Sequence, residues 1–176
     1  MNMNIDFLKL AAERYSVRSF TTQPLAQETI DLILKAGHLA PTGCNLQPQR
    51  ILVINNEEAV AKLHKCTKCH FNAPTAILIC YNKAECWVRK YDGKTCGEID
   101  ASIVTTHMML EATALGVGTT WVMHFDPAAI KTEFHIPDKI EPVALLVMGY
   151  PASDAQPFAG HSEFRPLEEL VMYNTF

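Results

Sequence analysis

Hydrophobic residues recur along the chain with two different periods, and each period predicts a different kind of element. A spacing of three and four residues predicts helices, and short apolar runs between turn residues predict strands. A helix after Pro24 has Ile30, Ile33 and Leu34 on one face, with Gly37 as its expected stop. The same patterns predict helices over residues 5–13, 57–65, 98–115 and 127–134, and strands over residues 50–54, 76–81, 118–123 and 141–149. Alternating helices and strands indicate an α/β or α+β fold.

The segment 98–115 is the strongest predicted helix, and it is apolar on nearly every side. It contains no Lys or Arg, and the apolar residues that cover most of its circumference are Ile99, Ile103, Val104, Met108, Met109, Leu110 and Leu115. A helix of this kind must be buried, either in a core or against a partner subunit. Because 176 residues leave little chain to cover it on all sides, we expect a subunit interface along it.

The C-terminal tail, about residues 150–176, differs in composition from the rest of the chain. It contains Pro151, Pro157 and Pro166, and it ends in the apolar stretch 170–176. An apolar end with no neighbouring element of its own is expected to dock on another surface. We therefore expect one domain over residues 1–176, with a tail that docks on the partner subunit.

Charge and the chain start narrow the possible classes of function. A net charge of −4 and a pI near 5.9 argue against a broad nucleic-acid or anionic-membrane surface, so any anion site must be local. The apolar run 143–148 is too short to span a bilayer, and residues 1–6 lack the features of a secretion signal. We expect a cytoplasmic protein with no nucleic-acid or membrane partner, whose six cysteines are thiols.

The first candidate site is the short segment 14–18. In an extended conformation Arg14, Ser16 and Arg18 point to one side. Two guanidinium groups that flank a hydroxyl form a compact anion site, because each planar guanidinium can donate two hydrogen bonds to a phosphate. The alternative is a solvated loop with two surface arginines.

The second candidate site is the loop 40–48, which begins with Ala-Pro-Thr-Gly. The side-chain amides of Asn45 and Gln47 carry both donors and acceptors, as does the edge of a heterocyclic ring. The loop could therefore recognise such a ring. The alternative is a turn-rich loop in which both amides satisfy nearby backbone groups.

Two further patterns in the sequence bear on nucleotide and metal binding. Gly116 and Gly118 do not form a dinucleotide fingerprint, because a helix precedes them and a strand follows; Gly116 is expected to cap the helix. Cys66 and Cys69, flanked by His64 and His70, form half of a zinc site. Lys68 between the cysteines could also lower a thiol pKa for redox chemistry. Structural thiols are the third interpretation, since a second cysteine pair at comparable spacing is missing.

Four segments, taken in order, resemble the nitroreductase family of flavoproteins. The segments are Arg14 to Phe20, Ala40 to Pro48, Leu115 to Val122 and Arg165 to Glu169. They are similar to the family's Arg-x-Ser-x-Arg-x-Phe opening, its Ala-Pro-Ser-x-x-Asn-x-Gln-Pro loop, its Leu-Gly-x-Gly-x-x-Trp strand and its basic-Pro-Leu-Glu-Glu tail. The resemblance implies an α+β fold with a central mixed sheet flanked by helices, an intertwined homodimer, and FMN at the subunit interface.

The resemblance also implies roles for individual residues. Arg14 and Ser16 would bind the phosphate and ribityl side of FMN, and Arg18 would lie by the N1/O2 edge of the ring. The backbone N–H groups of Met123 and His124 would approach N5.

A second group of implied site residues lines the cofactor or substrate side: Thr42, Gly43 and Asn45. The remaining implied cofactor-binding residues are Tyr15, Pro41, Gln47, Val122 and Arg165. The tail departs from the family pattern, because Glu163 and Phe164 precede Arg165 where the family often has another basic residue. The basic grip of the tail would then rest on Arg165, alone or with His161. No metal ligand and no dedicated acid–base residue is implied.

The implied activity is a ping-pong transfer of two electrons from NAD(P)H, through FMN, to a nitroaromatic, a quinone or an activated alkene. Three alternatives remain open at this point. They are a flavin enzyme dedicated to one unidentified substrate, a flavin-binding protein that does not turn over, and a metal or redox module built on Cys66 and Cys69.

Overall fold

Six helices and a four-stranded sheet make up the protein, which a computed structural model describes over residues 6–176. The helices are α1 (Phe7–Glu13), α2 (Gln27–His38), α3 (Glu57–Cys66), α4 (Gly97–Ala114), α5 (Pro127–Glu133) and α6 (Leu167–Leu170). The strands are β1 (Gln49–Ile54), β2 (Thr75–Asn82), β3 (Gly118–Val122) and β4 (Ile140–Gly149). Each predicted helix and strand is present within two residues of its predicted bounds; residue 5, where the first was predicted to begin, lies outside the described residues. The α+β class is thereby confirmed.

The sheet has the strand order β1-β2-β4-β3, and every neighbouring pair of strands is antiparallel. The two central strands are buried along almost their whole length, which explains their nearly continuous apolar sequences. The mixed character predicted for the sheet is confined to one isolated parallel bridge, between Ser16 and Thr119. Parallel pairing within residues 6–176 therefore occurs only where the N-terminal segment meets the outer edge of β3.

Helices α2 and α4 pack together on one face of the sheet. Gly37 was predicted to end α2, and this was wrong, since the helix continues through His38 and Gly37 lies buried within it. A Cβ atom on Gly37 would lie 2.7 Å from Cγ of Met108, so the glycine is required for the close approach of the two helices. Helix α4 ends as predicted. Gly116 has a φ of 74°, and its N–H and that of Val117 bond back to the last turn of the helix.

Helices α3 and α5 cover the opposite face of the sheet, where Leu63 and Ile130 are buried. Both helices begin at a side chain that accepts hydrogen bonds from the first turn. Asn56 accepts from the backbone of α3, and Asp126 accepts from the backbone of α5. The sheet is therefore covered on both faces by helices whose ends are set by local sequence.

Only one side of α4 is covered within the chain. Ala101, Val104 and Met108 are fully buried, whereas Ile99 is 53% exposed. A shallow depression follows the open side, and its lining residues are Glu98, Ile99, Ser102, Ile103, Thr106 and His107. One copy of the chain thus buries only one side of the helix, and the apolar residues on the other side remain uncovered.

The end of the tail, residues 163–176, is exposed along its whole length. Large apolar side chains there contact solvent: Phe164, Leu167, Leu170, Met172, Tyr173 and Phe176. Among the helices of residues 6–176, none is both long enough and apolar enough to cross a membrane.

The first residue of α4 gives a test of the packing. A Cβ atom on Gly97 would lie 2.2 Å from the ring of Tyr81, which is itself buried. Gly97→Ala should therefore lower the free energy of unfolding by about 1–3 kcal/mol through overpacking, measured by urea denaturation. The same substitution in a Tyr81→Val background should cost clearly less. An equal loss in both backgrounds would show that the ring contact is not the cause.

Candidate functional site

The N-terminal segment lies flat along the outer edge of β3. The backbone N–H of Val17 donates to the carbonyl of Thr119 at 2.9 Å, and the hydroxyl of Thr120 donates to the carbonyl of Val17. Gly118 permits this approach, because a Cβ atom there would lie 2.7 Å from a methyl group of Val17. The predicted strip from Arg14 to Arg18 is therefore fixed to the sheet by its backbone.

A cavity of about 140 Å³ opens beside this strip, and Arg14, Tyr15 and Thr119 are among its lining residues. Arg14 is half-buried, and no carboxylate of residues 6–176 forms an ion pair with it. The hydroxyl of Thr119, a residue only 2% exposed, has no hydrogen-bond partner among the described residues. Glu13 also lines the cavity, but its carboxylate pairs with Lys9 at 3.7 Å. The residues that line the cavity thus include a guanidinium and a buried hydroxyl without a partner, and both are donor types that bind small anions.

The other members of the strip are placed differently. The side chain of Arg18 is exposed and folds back to donate to the carbonyl of Ser16 at 3.3 Å. The ring of Tyr15 meets that of His161 edge to face at 6.3 Å, and His161 in turn lies 3.2 Å from the carbonyl of Ala12. These two contacts hold the tail at His161 against the strip. His161 therefore lies beside the segment that was predicted to bind an anion.

The loop from Thr42 to Gln47 has a specific and strained conformation. Cys44, Asn45 and Gln47 all have positive φ, between 50° and 54°. The hydroxyl of Thr42 accepts from the backbone N–H of Gln47 at 3.0 Å, and the Gln47 amide donates to the carbonyl of Asn45 at 3.3 Å. Gln47 thus satisfies nearby backbone, as the alternative interpretation expected, while the exposed side chain of Asn45 makes no such contact among the described residues.

Sequence reasoning missed the residue that holds this loop. Asp100, on α4, is 2% exposed and accepts from the backbone N–H of Gly43 at 2.9 Å. Its second oxygen accepts from the thiol of Cys96 at 3.1 Å. The only signal in the sequence was an acidic residue within an apolar helix, which is ambiguous because the first turn of a helix favours acidic residues anyway.

The backbone of Met123 and His124 continues directly from β3. The hydroxyl of Thr67 donates to the carbonyl of His124, and the N–H of Phe125 donates to the carbonyl of Met123 at 3.1 Å. Met123 is 64% exposed, whereas the side chain of Val122 is buried in the core. Only the backbone of Val122 is therefore available to a ligand on the surface.

Cys66 and Cys69 lie on either side of Thr67, which bonds to the carbonyl of His124. The buried thiol of Cys66 donates to the carbonyl of Lys62 at 3.3 Å, and burial raises its pKa, so it is held in the unreactive thiol form. The rings of His64 and His70 stack with centroids 3.6 Å apart, and burial together with His64 lowers the pKa of His70. Among residues 6–176, no group of three or more metal-ligating side chains is arranged to hold an ion.

One chain does not bring the predicted site residues together. Asp100 holds the loop 42–47 near the start of α4, whereas Thr113 near its end lines the cavity beside Arg14. Thirteen residues of helix separate them, or about 20 Å. Arg165 lies in the exposed tail and does not line the cavity.

Comparison with known proteins identifies the family. The model of the nitroreductase family matches residues 11–76 and 67–150. The crystal structure of a nitroreductase family protein from Clostridium difficile 630 is 42% identical and has a TM-score of 0.92, over 98% of this chain and 100% of that chain. An FMN-dependent nitroreductase from Clostridium difficile R20291 is 26% identical with a TM-score of 0.80, over 96% and 99% of the two chains. The FMN reductase [NAD(P)H] of Bacillus subtilis is 26% identical over 165 residues, which are 84% of this chain and 66% of that protein. The chain therefore belongs to the nitroreductase family.

Proposed function

We propose that this protein is an FMN-dependent oxidoreductase that transfers two electrons from NAD(P)H to a nitroaromatic, a quinone or a similar acceptor in a ping-pong cycle. The observation that carries the proposal is the cavity beside β3. Arg14 has no carboxylate partner there among the described residues, and the buried hydroxyl of Thr119 has no partner either. Both groups are donors of the kind that a phosphate oxygen accepts from.

The size of the cavity fits only the phosphate end of FMN. Its volume of about 140 Å³ is below the roughly 300–1,000 Å³ of a typical ligand pocket, so the ring must lie outside it. Arg14 and Ser16 would hold the phosphate and ribityl groups, with Tyr15 beside them. Arg18, at the far end of the strip, would place its cation at the N1/O2 edge of the ring, where it would stabilise negative charge.

Bound FMN would supply hydride transfer at its N5 atom. The backbone N–H groups of Met123 and His124 would orient that atom, and the bond from Thr67 to His124 would keep this backbone in place. The ring would be lined on its other side by Pro41, Thr42, Gly43, Asn45 and Gln47. No side chain of the protein would need to act as an acid or base, because the flavin and water can supply the protons.

The ring-lining loop would come from a second copy of the chain. In a two-fold symmetric dimer that joins the exposed sides of the two α4 helices, with the symmetry axis perpendicular to them, these helices would run antiparallel. The start of one helix, with its loop 42–47, then lies beside the end of the other, with its phosphate cavity. This arrangement buries Ile99 and its neighbours and brings the two half-sites together, which one chain cannot do.

The tail would complete the dimer. Residues 1–176 would form one domain. The exposed apolar end of the tail would dock on the partner subunit and bring the guanidinium of Arg165 to the partner's surface. Among the named strands, none pairs with the outer edge of β1, and such an edge readily accepts an added segment.

All six cysteines are free, which fits a cytoplasmic, reducing location.

The proposal predicts a yellow protein that is reduced by its co-substrate. Purified protein should show flavin absorbance, and NADPH or NADH should bleach it under anaerobic conditions. Steady-state rates with a quinone acceptor should give parallel double-reciprocal lines, the pattern of a ping-pong cycle. A colourless protein that does not bind added FMN would refute the proposal.

Loss of the cavity cation should weaken cofactor binding. Arg14→Ala removes a charge-assisted contact to phosphate and should raise the dissociation constant for FMN roughly 10- to 100-fold, equivalent to about 1.5–3 kcal/mol. Titration of apo-protein into FMN, followed by flavin fluorescence, measures this change. Arg89→Ala is the matched control, because Arg89 pairs with Asp92 in an exposed turn. If both variants bind FMN as wild type does, Arg14 does not hold the phosphate.

A charge on the open side of α4 should separate the subunits and release the cofactor. Ile99→Arg places a guanidinium in the proposed interface, so light scattering after size exclusion should report a monomer, and FMN content should fall with it. Glu57→Arg, on the exposed start of α3, is the control and should remain dimeric. A dimeric, flavin-loaded Ile99→Arg variant would place the interface elsewhere.

A further inference from the structure

The loop 42–47 has a backbone conformation that contacts from outside the loop would help to hold. Three of its residues, Cys44, Asn45 and Gln47, are in the left-handed region without being glycine. Each such residue costs on the order of 1 kcal/mol and persists only where the surroundings impose it. Four hydrogen bonds lie inside the loop, and the two that involve a side chain are exposed to solvent. An anchor from outside the loop would therefore add to the stability that these bonds provide.

Asp100 is that anchor in the described structure. Its carboxylate is buried and has no cationic partner within residues 6–176. One of its oxygens accepts a hydrogen bond from the N–H of Gly43. A buried carboxylate is costly unless hydrogen bonds satisfy it. The bond to the N–H of Gly43 is one of the two hydrogen bonds that satisfy this carboxylate, so the carboxylate and the loop stabilise each other.

The thiol of Cys96 fixes the other carboxylate oxygen. Burial, together with the bond to Asp100, raises the pKa of Cys96, so the sulfur keeps the proton that it donates. The loop also fits closely over this pair. A Cβ atom on Gly43 would lie 2.7 Å from Sγ of Cys96 and 3.0 Å from Cβ of Trp87. Gly43 is therefore the residue that lets the loop backbone reach the carboxylate.

We infer that Asp100 is a positioning residue, whose buried carboxylate holds the loop 42–47 in the conformation that presents Thr42, Gly43 and Asn45 to the cofactor. The role toward the cofactor rests on the proposed function, whereas the hold on the loop does not. Because Asp100 lies one position after Ile99, in the same turn of α4, it also links the ring-lining loop to the proposed subunit interface.

The chemistry of the contact predicts a graded series of variants. Asp100→Ala removes both acceptors. Asp100→Asn keeps one oxygen for the N–H of Gly43 but offers an amide N–H₂ to the thiol of Cys96, so its effect should be intermediate. Cys96→Ser keeps a donor to Asp100 and should resemble wild type, whereas Cys96→Ala should not.

Hydrogen exchange of the apo-protein tests the hold on the loop directly. The peptide that spans residues 41–48 should exchange roughly tenfold faster in Asp100→Ala than in wild type, because the N–H of Gly43 loses a charged acceptor. Thr105→Val is the matched control: it removes another buried polar group of α4, one that bonds only within the helix, and should leave this peptide unchanged. Unchanged exchange in Asp100→Ala would overturn the inference.

FMN titration of the same variants tests the role of the held loop. Asp100→Ala should raise the dissociation constant about tenfold or more, Asp100→Asn less, and Cys96→Ser and Thr105→Val hardly at all. If Asp100→Ala does not fold, the comparison of Asp100→Asn with wild type in both measurements decides the question. Faster exchange with unchanged FMN affinity would overturn the cofactor role of Asp100. Failure of wild type itself to bind FMN would refute the proposed function, while exchange would still decide whether Asp100 holds the loop.

Discussion

Helix α4 is the element on which both the fold and the candidate site depend. One side of it packs against α2 and the sheet through Ala101, Val104 and Met108, and this contact forms the centre of the larger core. Its first turn holds the loop 42–47 through Asp100, and its last turn borders the cavity beside Arg14 at Thr113. The opposite side is apolar and uncovered. One helix thus borders the core, the loop 42–47, the cavity beside Arg14 and an uncovered apolar surface.

Strand order separates the two halves of the site. The loop 42–47 leads into β1, while the strip from Arg14 to Arg18 lies along β3, and these strands form opposite edges of the sheet. On the proposed function, cofactor binding requires two copies of the chain. Binding and association are then linked by mass action, so FMN stabilises the dimer and dilution of the protein weakens its hold on FMN.

The sequence predicted the elements well, because period and capping are local properties. The end of α4 at Gly116 was predicted from the chain, and the starts of α3 and α5 lie at the local caps Asn56 and Asp126. Gly37 shows where local reasoning fails, because glycine at a helix end and glycine at a helix crossing look alike until Met108 is placed beside it. Asp100 was missed for a related reason. Its partner, the N–H of Gly43, lies 57 positions earlier and carries no side-chain signal.

In the segment 64–70, the residue with the clearest structural role is Thr67 and not one of the conspicuous cysteines and histidines. Two cysteines and two histidines suggest metal or redox chemistry, yet the thiol of Cys66 is buried and kept protonated. Thr67, between the cysteines, instead ties the end of α3 to the carbonyl of His124. On the proposed function this carbonyl belongs to the backbone that faces N5. On that function, a change at Thr67 would alter the reacting edge of the site by moving the backbone at His124.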